Sequence, residues 1–205
     1  MRRCGPDRGP RAGHGGGQSQ TPRRAPRRAY VVHARRGSGT RTRPRWGVGL
    51  VGACDVALAS DESTFAFTES RLGLTPAVIS LTTRTRLGDR DAAHKYLTGA
   101  TFSASEAARS GLVTSAIAAA DFDAAMTDLL AQLRTASPQG LRETKLLLNR
   151  TLVAHMDAEG DRLVALSAQL FASAEAREGM AAFRERRRPR WATESASGRH
   201  GDIAT

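Results

Sequence analysis

Acidic residues are almost missing from the first quarter of this 205-residue chain, which holds 13 Arg and a single acid, Asp7, before residue 46. That segment carries a local charge of +12, while residues 46–205 sum to −1, so the whole-chain excess of +11 sits entirely in the head. The head also lacks large apolar residues: before Trp46 there are only Met1, Cys4, Tyr30, Val31 and Val32. A stretch that cannot bury apolar surface does not offset its ordering entropy, so residues 1–45 are read as a disordered Arg/Gly/Pro-rich head. Aromatics are nearly absent there too. Clustered Arg suffices for phosphate contacts, but stacking on single-stranded bases needs aromatic faces, and polyanion binding through the head is therefore the lesser reading. Two cysteines, Cys4 and Cys54, make no disulfide framework. No apolar run reaches the ~18 residues of a membrane span. The Arg-rich start has neither a signal-peptide core nor the amphipathic stripe of a transit peptide, which leaves a cytoplasmic protein without a membrane partner. The five His are scattered, and no metal site is expected.

Past residue 45 the sequence alternates short apolar runs with capping and breaking signals. Gly47 to Ala53 reads as a short helix with a Gly-rich entry, Val56 to Ala59 as a buried strand and Thr64 to Phe67 as an alternating one. Pro76 opens a helix that runs from Ala77 to Leu87 and stops at Gly88; Asp89 caps the next, which ends at Gly99. Ser103-Ala-Ser-Glu106 has the spacing of a capping box, and Gly111 closes the helix behind it. Leu112 to Ile117 reads as a strand. Asp121 then caps a helix with Phe122, Met126, Leu129, Leu130 and Leu133 on its apolar side. Ser137-Pro138 breaks it and starts another; a further helix spans Asp157 to Ala172, and a last one runs from Ala174 to Arg188 ahead of Pro189. Few strands followed by many helices means an α+β domain over residues 46–192, with a loose tail at 193–205.

Two motifs carry chemistry. Trp46-Gly-Val-Gly-Leu-Val-Gly-Ala-Cys-Asp55 is a Gly-rich approach to a short apolar helix, and Phe65-Ala-Phe-Thr-Glu-Ser-Arg-Leu-Gly73 brings an isolated carboxylate onto a new loop. Backbone N–H groups that hold an oxyanion and one acid that moves a proton need parts in this order. Together with Gly73-Leu-Thr-Pro-Ala77, Tyr96-Leu-Thr-Gly99, Ala104-Ser-Glu-Ala-Ala-Arg-Ser-Gly-Leu-Val113, Ser137-Pro-Gln-Gly140 and Glu178-Gly-Met-Ala-Ala-Phe183, they resemble the crotonase superfamily, the enoyl-CoA hydratases and isomerases, over about residues 46–192.

The resemblance implies an incomplete ββα spiral with a C-terminal helical region, a homotrimer or hexamer, and an acyl-CoA substrate of fatty-acid or branched acyl-CoA metabolism. Coenzyme A then enters as part of the substrate, with no resident cofactor. Glu69 matches the family's catalytic glutamate; set among Phe65, Phe67 and Leu72, its charged form is disfavoured, as a proton-shuttling acid requires. The plainer reading is a surface Glu paired with Arg71. Gly49 falls where two-acid hydratases have their other glutamate. The oxyanion donors on this side fall at Trp46 and Gly47, where the family has paired glycines. The family's other donor and its adenine-binding loop belong to an N-terminal half that residues 1–45 do not resemble. Arg71 matches a position where recognition of a second substrate carboxylate is one reading and a solvated Arg the other. Ala77 stands where a Gly N–H helps hold the water. Arg186 and Arg187, in Arg184-Glu-Arg-Arg-Arg-Pro-Arg190, either contact the CoA phosphates or complement the helix end. A hydratase is the first reading, and a catalytically silent oligomerisation partner the second.

Overall fold

The computed structural model describes residues 33–34 and 47–192 of the chain. Its elements are, in order, β1 (His33–Ala34), α1 (Gly47–Ala53), β2 (Leu58–Ser60), β3 (Thr64–Phe65), a 3-10 turn (Glu69–Leu72), α2 (Ala77–Thr83), α3 (Asp89–Thr98), β4 (Phe102–Ser103), α4 (Ala104–Arg109), β5 (Ser115–Ile117), a 3-10 turn (Ala119–Asp121), α5 (Phe122–Thr135), α6 (Pro138–Phe171) and α7 (Ala174–Glu185). The expected α+β class with a helical C-terminal region is what the chain forms.

A parallel sheet of order β1-β2-β5 lies beside an antiparallel pair, β3-β4. In the first, His33 and Ala34 pair with Leu58 and Ala59, so the sheet takes a two-residue strand from within the Arg-rich head. Parallel pairing supplies those two residues with backbone partners that local composition does not reveal. The rest of the head, Trp46 and the tail from 193 lie outside the described residues.

Between sheet and helices sits the main core. Phe102 of β4 stacks on Phe65 at 5.8 Å between ring centroids and on Phe67 at 6.1 Å, and Phe67 meets the Tyr96 ring edge-on at 4.7 Å. Phe67 is only 1% exposed. Burying one such ring contributes about 1.5–3 kcal/mol. Small residues let the helices close on the sheet: Ala59, Ala104 and Ala107 are fully buried. Helices α1 and α2 cross closely at Gly52, where an added Cβ would stand 2.8 Å from Thr83 Cγ2 and 3.0 Å from the Thr82 carbonyl carbon. A second cluster, Ala77 and Leu81 of α2 with Leu163 and Leu166 of α6, fixes the long helix to the domain.

Local signals account for most boundaries. The Ser103–Glu106 box forms as expected, with Ser103 N–H donating to Glu106 Oε2 at 2.7 Å and Glu106 N–H to Ser103 Oγ at 3.3 Å. Ser137 caps α6 through Gly140 N–H at 3.0 Å, with Pro138 in the first turn. Four expectations differ. Helix α2 ends at Thr83 rather than Leu87, and Gly88, not Asp89, is the N-cap of α3. The helices expected on either side of Asp157 are one helix of 34 residues, since neither Asp157 nor Gly160 is a strong enough breaker to stop it. Helix α7 ends at Glu185 rather than Arg188, with Arg186 as its C-cap in the left-handed region at φ 56°, ahead of Pro189.

Candidate active site

Glu69 opens the 3-10 turn that follows Phe67, a fully buried ring of the core. The turn is closed by its own backbone: Arg71 N–H donates to Thr68 O at 3.1 Å and Leu74 N–H to Glu69 O at 2.9 Å. Gly73 terminates it at φ 71°, a conformation in which a side chain is strained. The glutamate is half-buried, and its Oε2 is withdrawn from solvent. The turn leaves the core directly after Phe67 and carries Leu72 at its end.

Tyr96 stands near this carboxylate. Its hydroxyl and Thr83 Oγ1 are 2.6 Å apart, while Thr83 Oγ1–H donates to Ile79 O at 2.8 Å. The single proton of the Thr83 hydroxyl being committed, Tyr96 is the donor of the shared bond. Burial raises the Tyr96 phenol above its ordinary value, the Thr83 bond lowers it, and the Glu69 carboxylate adds a smaller rise.

The other expected residues separate into two groups. Gly47 begins α1, and Ala77 begins α2, the helix against which α1 packs. Gly49 faces Ile79 of α2, where a Cβ would make an ordinary 3.6 Å contact, and its carbonyl accepts from Thr82 Oγ1–H at 2.7 Å. The Ala77 N–H donates to Thr75 O at 2.7 Å, so the donor expected to help hold a water is engaged by its own turn. Arg71 is exposed and lies next to the acid without an ion pair to it among the described residues; its Nε–H donates to Thr98 O at 2.7 Å. The surface Glu69–Arg71 pair is thus replaced by a side chain-to-backbone bond.

Arg186 and Arg187 belong to the other end of α7, about 10 Å along the helix axis from Gly179, where α7 meets the Glu69 turn. Arg187 does not point a free guanidinium outward: it donates to Glu178 at 2.6 and 3.0 Å and to Glu185 at 2.6 Å. Those bonds from Arg187, joined by the Arg190 N–H, hold the Glu178 carboxyl down at about 2. Arg186 is the helix C-cap. Arg187 is thus built into the end of α7 by its side chain and Arg186 by its backbone.

Sequence reasoning left several structural partners unassigned. Arg86 donates from Nε to Gly52 O at 3.1 Å and from Nη2 to Cys54 O at 2.9 Å, capping α1 from 32–34 residues away. Asp55 pairs with Lys145 and accepts from Asn149 Nδ2 at 2.8 Å, tying α6 to the end of α1. Burial alone would raise the Asp55 carboxyl, but Lys145 and Asn149 outweigh it and hold the group below its ordinary value. A cavity of about 300 Å³ opens here, lined by Cys54, Asp55, Arg86 and Leu112 to Thr114; Glu69 is not in its wall. The Cys54 thiol is buried and donates to Leu50 O at 3.2 Å, and burial raises it above its ordinary value, which disfavours the thiolate. Among the described residues, no group of His, Cys, Asp and Glu is placed to hold a metal, and no helix is long and apolar enough to cross a membrane.

The Enoyl-CoA hydratase/isomerase family model matches residues 44–194. The chain belongs to that family. It is similar to a crystal structure of an enoyl-CoA hydratase from Mycobacterium avium, with a TM-score of 0.70 and 45% identity over 80% of this chain and 61% of that one. Among curated relatives it is 34% identical to the probable enoyl-CoA hydratase echA8 of Mycobacterium tuberculosis, over 71% of this chain and 57% of the relative. It is 30% identical to the mevalonyl-coenzyme A hydratase of Aspergillus fumigatus, over 71% of this chain and 55% of the relative. The chain therefore spans a little over half the length of the curated relatives it matches. This crotonase-type frame is the one that the Glu69 loop and the α1 approach suggested.

Proposed function

We propose that this chain carries the proton-moving half of an enoyl-CoA hydration site, with Glu69 as its acid and base. The observation that carries the reading is the placement of Glu69: a half-buried carboxylate opening a turn locked against the aromatic core. Water adds across the double bond of a 2-enoyl-CoA thioester. Its oxygen bonds to the β-carbon as Glu69 takes its proton, and Glu69 then returns that proton to the α-carbon. In between, charge gathers on the thioester oxygen, where the N–H groups of Trp46 and Gly47 are the expected donors. With Gly49 in place of a second carboxylate, one acid serves both proton transfers. Fatty or branched acyl-CoA thioesters are the substrate class, and a cytoplasmic location agrees with a free, buried Cys54.

The test is loss of the enoyl thioester absorbance, run beside a binding titration. Glu69→Gln keeps the shape and loses the proton, so turnover falls by ~10²-fold or more with thioester affinity little changed. Full activity in that variant removes Glu69 from the mechanism. Turnover in the natural chain is expected to be slow, because Trp46 keeps its N–H but stands where the family has a glycine that lets the backbone approach the thioester oxygen, and a donor held out of reach costs up to ~10²–10³ in rate.

A second reading, an oligomerisation partner without turnover, is favoured by the apolar side chains that α6 leaves exposed, among them Leu147, Leu148 and Val164. In either reading a trimer is the proposed assembly. Thioester binding with no hydration in the natural chain would select the silent partner.

A further inference from the structure

The turn that bears Glu69 is held by the far end of α3. The last carbonyls of a helix have no intrahelical donor and concentrate negative potential. Two of them, Leu97 O and Thr98 O, receive the two side chains that directly follow Glu69: Ser70 Oγ–H donates to the first at 3.3 Å and Arg71 Nε–H to the second at 2.7 Å. Thr98 is itself fixed, its hydroxyl donating to His94 O at 2.7 Å and accepting from Ala100 N–H at 3.2 Å. The next residue, Gly99, sits at φ 59° and makes room for the same contact. A Cβ there would stand 3.0 Å from Arg71 Cγ, 3.0 Å from Arg71 Nε and 3.0 Å from Phe67 O. So the residue two before the glutamate and the two after it all abut one helix end, and that end is shaped by a glycine to accept them.

From this geometry we infer that Arg71 is a positioning residue for Glu69 rather than a reader of a substrate carboxylate. The inference rests on the hydratase reading for its functional meaning, but not for its structural content. A guanidinium that recognised a second substrate carboxylate would offer its fork to the cleft. Here the Nε–H, one of the edge donors of that fork, is committed to Thr98 O, and the stem is packed on Gly99. Arg71 thereby fixes the direction in which the turn leaves the core, and with it the path of the Glu69 side chain. The charge also suits the helix end, where a cation is favoured.

Two measurements on the full chain test it. The first is hydrogen exchange of the turn's own amides, Leu74 N–H to Glu69 O and the residue-71 N–H to Thr68 O. Arg71→Ala is expected to speed both by ~10-fold, a local opening, while amides in the middle of α6 keep their rates. Arg71→Lys, which restores one donor and the charge, is expected to recover most of the protection. The second is kinetic. A positioning role lowers kcat by about three- to tenfold at constant KM, and the loss vanishes when Arg71→Ala is made on top of Glu69→Gln. Unchanged exchange at residues 71 and 74 overturns the inference. So does a rise in KM at constant kcat, the mark of a substrate contact. Absence of turnover in the natural chain would count against the hydratase reading, and the exchange experiment would still decide the role of Arg71.

Discussion

At the residue scale, glycine space decides how the Glu69 turn is held on its second side. An added Cβ at Gly179 of α7 would stand 2.5 Å from Leu72 O, and one at Gly73 would stand 2.6 Å from the Glu175 carbonyl carbon. Both clashes are with backbone, which cannot rotate away. Helix propensity alone favours Ala over Gly at position 179 by ~1 kcal/mol, so the glycine is there for the contact. Gly179→Ala is expected to destabilise by about 1–3 kcal/mol and to loosen α7 from the turn. Gly160 provides the control, because nothing lies within 4 Å of its would-be Cβ in the middle of α6. Gly160→Ala is expected to stabilise by up to ~1 kcal/mol, a rise of about 2–4 °C in Tm. Thermal unfolding of the two variants side by side checks the assignment; a stabilising Gly179→Ala would mean that α7 does not pack on the turn in solution.

At the scale of elements, Arg86 and Asp55 join Thr82 in holding α1 to the rest. Arg86 satisfies the carbonyls of Gly52 and Cys54, and Asp55 joins Lys145 and Asn149 of α6. Arg86→Met keeps the stem and strips the donors, leaving two carbonyls short of partners, at a cost of about 1–3 kcal/mol for each that stays buried. The Asp55 link has a pH signature. Its carboxyl is held below its ordinary value in the folded chain, so the stabilisation is fully present above the unfolded pKa of about 4. It is lost as pH falls through the lower folded value. Denaturant midpoints should therefore drop below about pH 4, and Asp55→Asn should flatten part of that drop; an identical pH profile in the variant would show that the pair adds nothing. These partners also mark what the sequence could reveal. Capping at Ser103 and Ser137 was legible because its chemistry spans three residues. The acid at position 69 was legible because the surrounding motif is contiguous. The role of Arg71 was not, since the carbonyl that receives it is 27 residues away, and neither was Arg86, whose acceptors lie more than 30 residues before it. Short strands such as β1 and β4 are specified by their pairing partners, not by local pattern.

At the scale of the whole molecule, the long helix presents more apolar surface than the domain covers. Leu163 is buried against α2, but Leu147 and Leu148 are 72% and 69% exposed, and Val153, Val164 and Phe171 are also exposed. Large apolar side chains left exposed in this number on a folded domain mark surfaces that pair with other chains. The sequence pointed to the C-terminal helices as the self-associating part through the family resemblance, and the burial of Leu163 shows which side of α6 is already used within the subunit. The exposed apolar side chains are expected to associate with copies of this chain in a closed ring, as symmetric oligomers do. Light scattering coupled to sizing, at several concentrations, should show a trimer-like mass or concentration-dependent growth. The double variant Leu147→Glu, Leu148→Glu places two charges where a partner would have to desolvate them, and should shift the mass toward the monomer with the helical content unchanged. A natural chain that stays monomeric at every concentration would leave the patch as bare surface and remove self-association from the account.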